Sequence, residues 1–338
     1  MEAVALVGID IGKRTFHLHA QDRVGREIWR RQVTRPQLLR LLAQQPSCRV
    51  VMEACPGAHW LARTVAGYGH DVQLIAAKFV RPFVRNNKHD YADAEAICEA
   101  SLRPNMRYVG IKTIEQQTLS MRHRLREALV RERTAVTNQV HGFLLEFGVS
   151  LPTGPATLRR LDSLLMDEVR IPPMVRTLIG RLRERYRALT EDLAVADREI
   201  KADLAINDAG QRLLTIPGIG PITASLLAAE AGDASMYRCS RDFAASVGLV
   251  PRQYSTGGKP RLLGISKRGD RHLRTLLIHG ARAVMIRARG RDDHLSRWIT
   301  DLSKRRHANI VACALANKMA RIVWAVLRHR TSYQLQSV

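Results

Sequence analysis

The sequence contains no Cys-x-x-Cys pair. Its five cysteines, Cys48, Cys55, Cys98, Cys239 and Cys313, are odd in number and scattered along the chain. That spacing speaks against a disulfide framework or a cysteine zinc site, and for reduced thiols in a bacterial cytoplasm. No stretch reaches the roughly 18 uninterrupted apolar residues of a membrane helix, so no membrane partner is expected. The opening MEAVALVGIDIG has no basic n-region and is interrupted by Asp10, so it reads as a strand and not a signal peptide. Low-complexity tracts and long-period repeats are absent. Acidic residues are scarce: 31 Asp and Glu face 54 Lys and Arg, a formal net charge of +23. A surplus of that size suits a polyanion, because neutralising phosphates releases condensed counterions. A membrane surface or a merely basic exterior are the bland alternatives. The surplus is concentrated, with 19 basic against 4 acidic residues from 251 to 338, a surplus of 15.

What is present is enough for a substantial fold. The chain has 338 residues, 46% of them hydrophobic, which suggests two or three domains. The first hundred residues read as α/β. Apolar or alternating runs predict strands at Val4–Ile11, Phe16–Gln21, Glu27–Val33, Cys48–Met52 and Val72–Ala76. Helical spacing predicts helices over Gln37–Gln44, Pro56–Ala66 and Lys88–Ser101, giving a mixed sheet with flanking helices. Residues 112–147 and Met174–Leu204 are long, charge-laced helical patterns that suggest an antiparallel coiled-coil arm; a helical spacer packed on the same domain is the alternative. Residues 251–270 look loop-like, and the chain is helical again from Arg271 with a break at Gly290–Asp293. The resulting division is 1–110, 111–205 and 206–338: an α/β domain, a helical arm, and a basic, mostly helical domain. Trp298 and Trp324 fall on core spacing, and the histidines show no metal spacing.

Three constellations carry chemistry. Asp10 and Glu53 each end a strand that is expected to be buried, where a charge is costly unless paired or bound to a metal. Asp90 and Asp93 sit three apart at the start of a helix and share one face. Taken singly, each reads first as a helix cap. Together, four hard oxygen donors suit Mg²⁺, and paired metals are suited to phosphodiester chemistry. Second, Ser255 and Thr256 lie in a glycine-flanked loop with Gly257, Arg252, Lys259, Arg261, Lys267 and Arg268 around them. Such a loop either stabilises phosphate chemistry at a hydroxyl or only positions a nucleic-acid backbone, and the residues alone favour the second. Third, Ile216-Pro-Gly-Ile-Gly-Pro221 looks like the turn of a helix-hairpin-helix, with Gly218 and Gly220 offering backbone N–H groups to a phosphate; a purely structural turn is the alternative. The basic C-terminal helices suit backbone contact with nucleic acid.

GIDIGKRTFHLHAQD, VMEACPGAHW and NKHDYADAEAI resemble the three acidic segments of a RuvC-like, RNase H-type domain. More narrowly, they resemble the DEDD transposases of the Piv/MooV insertion-sequence family. GLVPRQYSTGGKPRLLGISKRGDRHLRTLLIHGARA is similar to that family's C-terminal serine domain, and the likeness spans most of the chain in the family's order. The resemblance implies that Asp10, Glu53, Asp90 and Asp93 form the metal-binding tetrad, that Lys88 belongs to the same motif, and that Ser255 is the nucleophile, with Thr256 one alignment step away. It implies a transposase or site-specific recombinase acting on donor and target double-stranded DNA through a covalent protein–DNA intermediate. It further implies a structured guide RNA of the bridge type and dimers pairing to tetramers around a composite site. A covalent intermediate conserves the phosphodiester energy; no nucleotide-binding loop is needed and none is seen. Two other readings remain: a RuvC-like Mg²⁺-dependent junction nuclease without serine catalysis, which leaves no adduct, and a non-catalytic nucleic-acid-binding protein, which needs no metal.

Overall fold

The computed structural model describes residues 3–84, 90–152, 154, 158, 161 and 170–334. Lys88 lies outside the described residues. The chain separates into two compact units, Met1–Ile114 and Glu115–Val338.

The first unit is built on a six-stranded mixed sheet in the order β3-β2-β1-β4-β5-β6. Its strands are β1 (Leu6–Ile11), β2 (Thr15–Gln21), β3 (Glu27–Thr34), β4 (Arg49–Glu53), β5 (Asp71–Ile75) and β6 (Tyr108–Val109). β1 pairs antiparallel with β2 and parallel with β4, which pairs parallel with β5. The two-residue β6 was not anticipated from the sequence; a pair that short carries no alternation. Alternate residues of a strand face opposite sides. Val7 and Ile9 of β1, with Val50 and Met52 of β4, join Leu38, Leu42, Leu61 and Val65 in one core. These last four belong to helices α1 (Arg35–Gln44) and α2 (Ala58–Ala66). Thr34 and Gln37 close a capping box at the start of α1, with Pro36 in its first turn.

Leu6 and Val51 face the other way, into a core with Ile97 and Cys98. A short helix α3 (Ala77–Val80) precedes α4 (Asp90–Ser101), which carries those two residues. α4 lies directly on β1 because Gly8 has no side chain: a Cβ there would stand 2.5 Å from the Ala94 carbonyl and 2.6 Å from the Cys98 sulfur. The sequence thus chooses which end of the sheet receives the first turn of α4.

The second unit begins with α5 (Ile114–Leu145) and α6 (Pro173–Ala205). They run antiparallel, since Arg122 pairs with Glu199 and Asp203, Arg126 with Asp197, and Arg185 with Glu132. Exposed pairs contribute little stability each, but their order along both helices fixes register. Val136, Val140 and Leu144 meet Ile179, Tyr186 and Leu189 in a small core of their own.

The remaining elements are α7 (Asp208–Leu214), α8 (Pro221–Ala231), α9 (Ser240–Ser246), β7 (Pro251–Gln253), β8 (Leu262–Ile265), α10 (Arg271–Arg287), α11 (His294–Ser303) and α12 (Ala308–His329). Among the described residues of this group, side-chain caps start four helices: Asn207 accepts from the Gly210 N–H, Asp270 from Leu273, Asp293 from Ser296 and His307 Nδ1 from Asn309. α12 is the axis of this core, with Val311, Leu315, Met319, Val323 and Val326 buried. It is also the one helix among the described residues long and apolar enough to cross a membrane by composition, and half of its apolar window is buried inside the protein. Lys318 and Arg321 interrupt it, which is why no uninterrupted apolar run shows in the sequence.

One sequence expectation is corrected here. Residues 251–270 are not a simple loop, because β7 and β8 pair antiparallel as a hairpin. Both hairpin faces are largely exposed, so its side chains show none of the apolar alternation by which strands are recognised.

Candidate functional site

The acidic constellation lies at the carboxyl ends of β1 and β4, a usual place for sites in α/β sheets. Asp10 is directly opposite His17 in the β1–β2 register. It sits two residues beyond Gly8 and therefore faces the α4 side. Glu53 ends β4; Ile9 pairs with Met52, so Glu53 is the next residue in register beside Asp10 and shares its face with Val51. Asp90 and Asp93 form the first turn of α4. One carboxylate oxygen each of Asp10 and Asp90 and a ring nitrogen of His17 lie within 4.8 Å of one another. His17 Nδ1 is 3.7 Å from Asp90 Oδ2, and the His17 ring meets Tyr91 edge-on at 5.0 Å between centroids. His17 is buried, Asp10 is half-buried and Asp90 is exposed, so the cluster opens to solvent on its helix side. Cys55 reports the field at this end of the sheet. Burial, and then the negative charges of Glu53 and Asp10, hold its thiol above the ordinary range.

Two carboxylates and an imidazole converging at this distance fit a divalent cation. The oxygens suit hard ions such as Mg²⁺, and the imidazole suits transition ions as well. Of the four acids singled out in the sequence, the structure brings Asp10 and Asp90 into this group. It sets Glu53 beside Asp10 and places Asp93 in the same helical turn as Asp90. His17 was missed. The signal was present in GIDIGKRTFHLHA: a hairpin turning at Lys13-Arg14 sets residue 17 opposite residue 10.

The hydroxyl constellation lies in the second unit, at the tip of the β7–β8 hairpin. Gly257 and Gly258 form its two-residue turn, with φ of +54° and +75°. Positive φ at both central positions is the turn whose twist matches paired strands, and glycine adopts it without steric cost. The register runs from Gln253 opposite Leu262 to Thr256 opposite Lys259. Tyr254 therefore faces Arg261, and its N–H donates to the Arg261 carbonyl at 2.9 Å. Ser255 faces Pro260, which has no N–H and fits a position that needs no ladder donor. Alternation then separates the two hydroxyls. Ser255 shares a face with Gln253 and Leu262; Thr256 shares the opposite face with Tyr254, Lys259 and Arg261. Gln253 Nε2 donates to Ser255 Oγ at 2.9 Å, and the Arg261 N–H donates to it at 3.3 Å. Arg252, Lys267 and Arg268 are exposed nearby. Sequence reasoning also missed Arg274 at the root of the hairpin. Its buried guanidinium donates to the Val247 carbonyl at 2.9 Å, and Gly248 packs against the backbone of Arg268.

The Pro217–Gly220 turn joins α7 to α8. Gly220 is exposed as the N-cap of α8. Gly218 has a packing reason to be glycine, since a Cβ there would stand 2.8 Å from the Gly280 carbonyl of α10.

Comparison with known proteins finds relatives over both units of the chain. A DEDD transposase profile matches residues 7–148, the span that holds Asp10, Glu53, Asp90 and Asp93. A profile described as Transposase IS116/IS110/IS902 family matches residues 210–296, which hold the glycine turn and the hydroxyl hairpin. The transposase for insertion sequence element IS1328 of Yersinia enterocolitica is 52% identical over 333 residues, covering 98% of this chain and 99% of that one. The chain belongs to the IS116/IS110/IS902 transposase family. Another relative, a probable family 20 transposase of Pseudomonas aeruginosa, is 48% identical over 97% of this chain and 98% of its own. The transposase for IS1111A of Coxiella burnetii is 40% identical over 99% of this chain and 92% of its own. As an insertion-sequence transposase of the DEDD type, the protein is an enzyme of DNA strand cleavage and rejoining, and its type uses divalent metal.

Proposed function

We propose that this transposase is a site-specific recombinase with two half-sites, a RuvC-like carboxylate site in the first unit and a serine site in the second. The convergence of Asp10, His17 and Asp90 at adjoining strand and helix ends carries the first half of this reading. Asp10, Glu53, Asp90 and Asp93, with His17, hold the cation, taken as Mg²⁺. When bound, that cation supplies positive charge beside a phosphate and offsets charge built up on its oxygens. Lys88 belongs to the same motif by family resemblance.

In the second half-site, Ser255 Oγ attacks a DNA phosphorus and forms a phosphoserine bond. The displaced deoxyribose oxygen leaves as a hydroxyl, and a strand end from the partner duplex later reverses the exchange at the new junction. Arg252, Thr256, Gly257, Lys259, Arg261, Lys267 and Arg268 hold the DNA backbone around it. Gly218 and Gly220 offer backbone N–H groups as a helix-hairpin-helix. In this reading the chain divides at 110 and 205, with the antiparallel helices as a coiled-coil arm between the catalytic parts in sequence. The partners in this reading are donor and target duplexes and a structured guide RNA, acted on in the cytoplasm by dimers that pair to tetramers and share composite sites. The charge surplus of 15 beyond residue 250 suits either nucleic acid.

Incubation with a duplex bearing an end of its own element, any co-purifying RNA and Mg²⁺ tests the reading. A protein–DNA adduct that survives denaturation is expected, and it is lost in Ser255→Ala and in Asp10→Ala. Cleaved ends without an adduct indicate a hydrolytic junction nuclease instead. Intact DNA, together with thermal stability indifferent to Mg²⁺, indicates a binding protein.

A further inference from the structure

The hairpin hydroxyls differ in what surrounds them. Ser255 Oγ receives two N–H donors, the Gln253 side chain at 2.9 Å and the Arg261 backbone at 3.3 Å. Among the described residues, the Thr256 hydroxyl receives none. An alcohol oxygen bonded to carbon and hydrogen has two lone pairs. Two donors fill both, so the remaining direction is the O–H itself, and only deprotonation opens a lone pair for attack. The same two donors then face an alkoxide, and donors already in place stabilise developing charge without reorganising. The β-turn and the pairing of Tyr254 with Arg261 fix the backbone donor. The two-residue strand period puts Gln253 on the same face as Ser255.

We infer that Gln253 is a positioning residue for Ser255, forming with the Arg261 backbone N–H a two-donor cradle that stabilises the Ser255 alkoxide. The inference rests on the reading of Ser255 as nucleophile. In the step served, the Ser255 proton passes to solvent, the Oγ–phosphorus bond forms, the bond from phosphorus to one deoxyribose oxygen breaks, and that oxygen takes up a proton. In the reverse step Oγ departs with the electron pair, so the cradle serves both directions. It accelerates formation and release alike and leaves their ratio unchanged. The opposite face, with Tyr254, Thr256, Lys259 and Arg261, is left to hold the DNA backbone.

The test uses the full chain, a labelled duplex carrying an element end, co-purifying RNA and Mg²⁺, and follows adduct formation over time. Gln253→Ala is expected to approach the wild-type adduct plateau at a rate roughly 10- to 100-fold lower, the size of one lost hydrogen bond to a charged group. Its affinity for the duplex is expected to be unchanged. Gln253→Glu keeps the shape but presents a carboxylate at pH 8, so its rate falls further. Its deficit narrows at pH 4.5, near the ordinary Glu pKa of about 4.3, as protonation restores a donor, a profile that a structural role would not produce. The hairpin is exposed, so neither variant should disturb folding, and matched thermal unfolding checks this. Wild-type rates in Gln253→Ala, or a Gln253→Glu deficit that does not change with pH, overturn the cradle while Ser255→Ala remains inert. An adduct that persists in Ser255→Ala overturns the nucleophile reading instead, and its loss in Thr256→Ala reassigns the hydroxyl.

Discussion

Gly8→Ala is the substitution that most sharply links the sheet to the acidic cluster. The added methyl would stand 2.5 Å from the Ala94 carbonyl, where ordinary contact begins at 3.4 Å. The carbonyl is helix backbone and cannot rotate away, so α4 must retreat by about 1 Å, taking Asp90 and Asp93 away from Asp10 and His17. Overpacking of this kind costs about 1–3 kcal/mol. At about 2.1 cal/mol/K per residue for a unit of this size, the midpoint of thermal unfolding falls by roughly 4–12 °C. The effect on chemistry should be larger, because a displacement near 1 Å in a catalytic group can reduce rate about 100-fold. The assay compares strand cleavage at 20 °C, where the variant remains folded, with the thermal shift produced by Mg²⁺ or Mn²⁺. A variant still folded at 20 °C, with its unfolding midpoint lowered as above, cleavage reduced about 100-fold and a diminished cation shift is expected. Wild-type cleavage with a wild-type cation shift would refute the claim that the contact between α4 and β1 sets the geometry of the cluster.

Other outcomes follow from particular contacts. His17→Ala should weaken Mn²⁺ binding more than Mg²⁺ binding in calorimetric titrations, because imidazole favours the transition ion; equal losses would remove His17 from the donor set. Burial, helped by the positive charges of His272 and Arg126, lowers the pKa of His123 to about 4 from 6.5. The folded state therefore holds His123 neutral where the unfolded chain binds a proton. Its contribution to stability is complete above pH 6.5 and declines as pH falls toward about 4. His123→Gln should flatten that part of the stability–pH curve, as followed by chemical denaturation. Arg274→Met removes a donor from the buried Val247 carbonyl. It should cost about 2–3 kcal/mol and speed hydrogen exchange at Gly248 and Lys267, with no change in cation binding.

Much of this architecture was legible in the sequence, for identifiable reasons. Buried strands ending in Asp10 and Glu53 announce themselves because a carboxylate after an apolar run needs a partner. The helices Ile114–Leu145 and Pro173–Ala205 are long enough for their periodicity to be unmistakable. His17 shows no ligand spacing; its only trace in the sequence is the hairpin turn that sets it opposite Asp10. The hairpin at Pro251–Ile265 looks like a loop in the sequence because both of its faces meet solvent, which erases the alternation that marks a strand. The same blindness hid Gln253: its relation to Ser255 is a strand relation. Gly8 gives no signal as a single glycine, and its meaning appears only when α4 is laid across it.

The most direct measurement is the identity of the DNA-linked residue. Adduct formed with an element-end duplex and Mg²⁺ is digested with protease and nuclease, and the nucleotide-bearing peptide is sequenced by mass spectrometry. One modified position, Ser255, is expected, with no modified peptide from Asp10→Ala protein. A nucleotide on Thr256 or on any other residue, or an undiminished yield from Asp10→Ala, would contradict it.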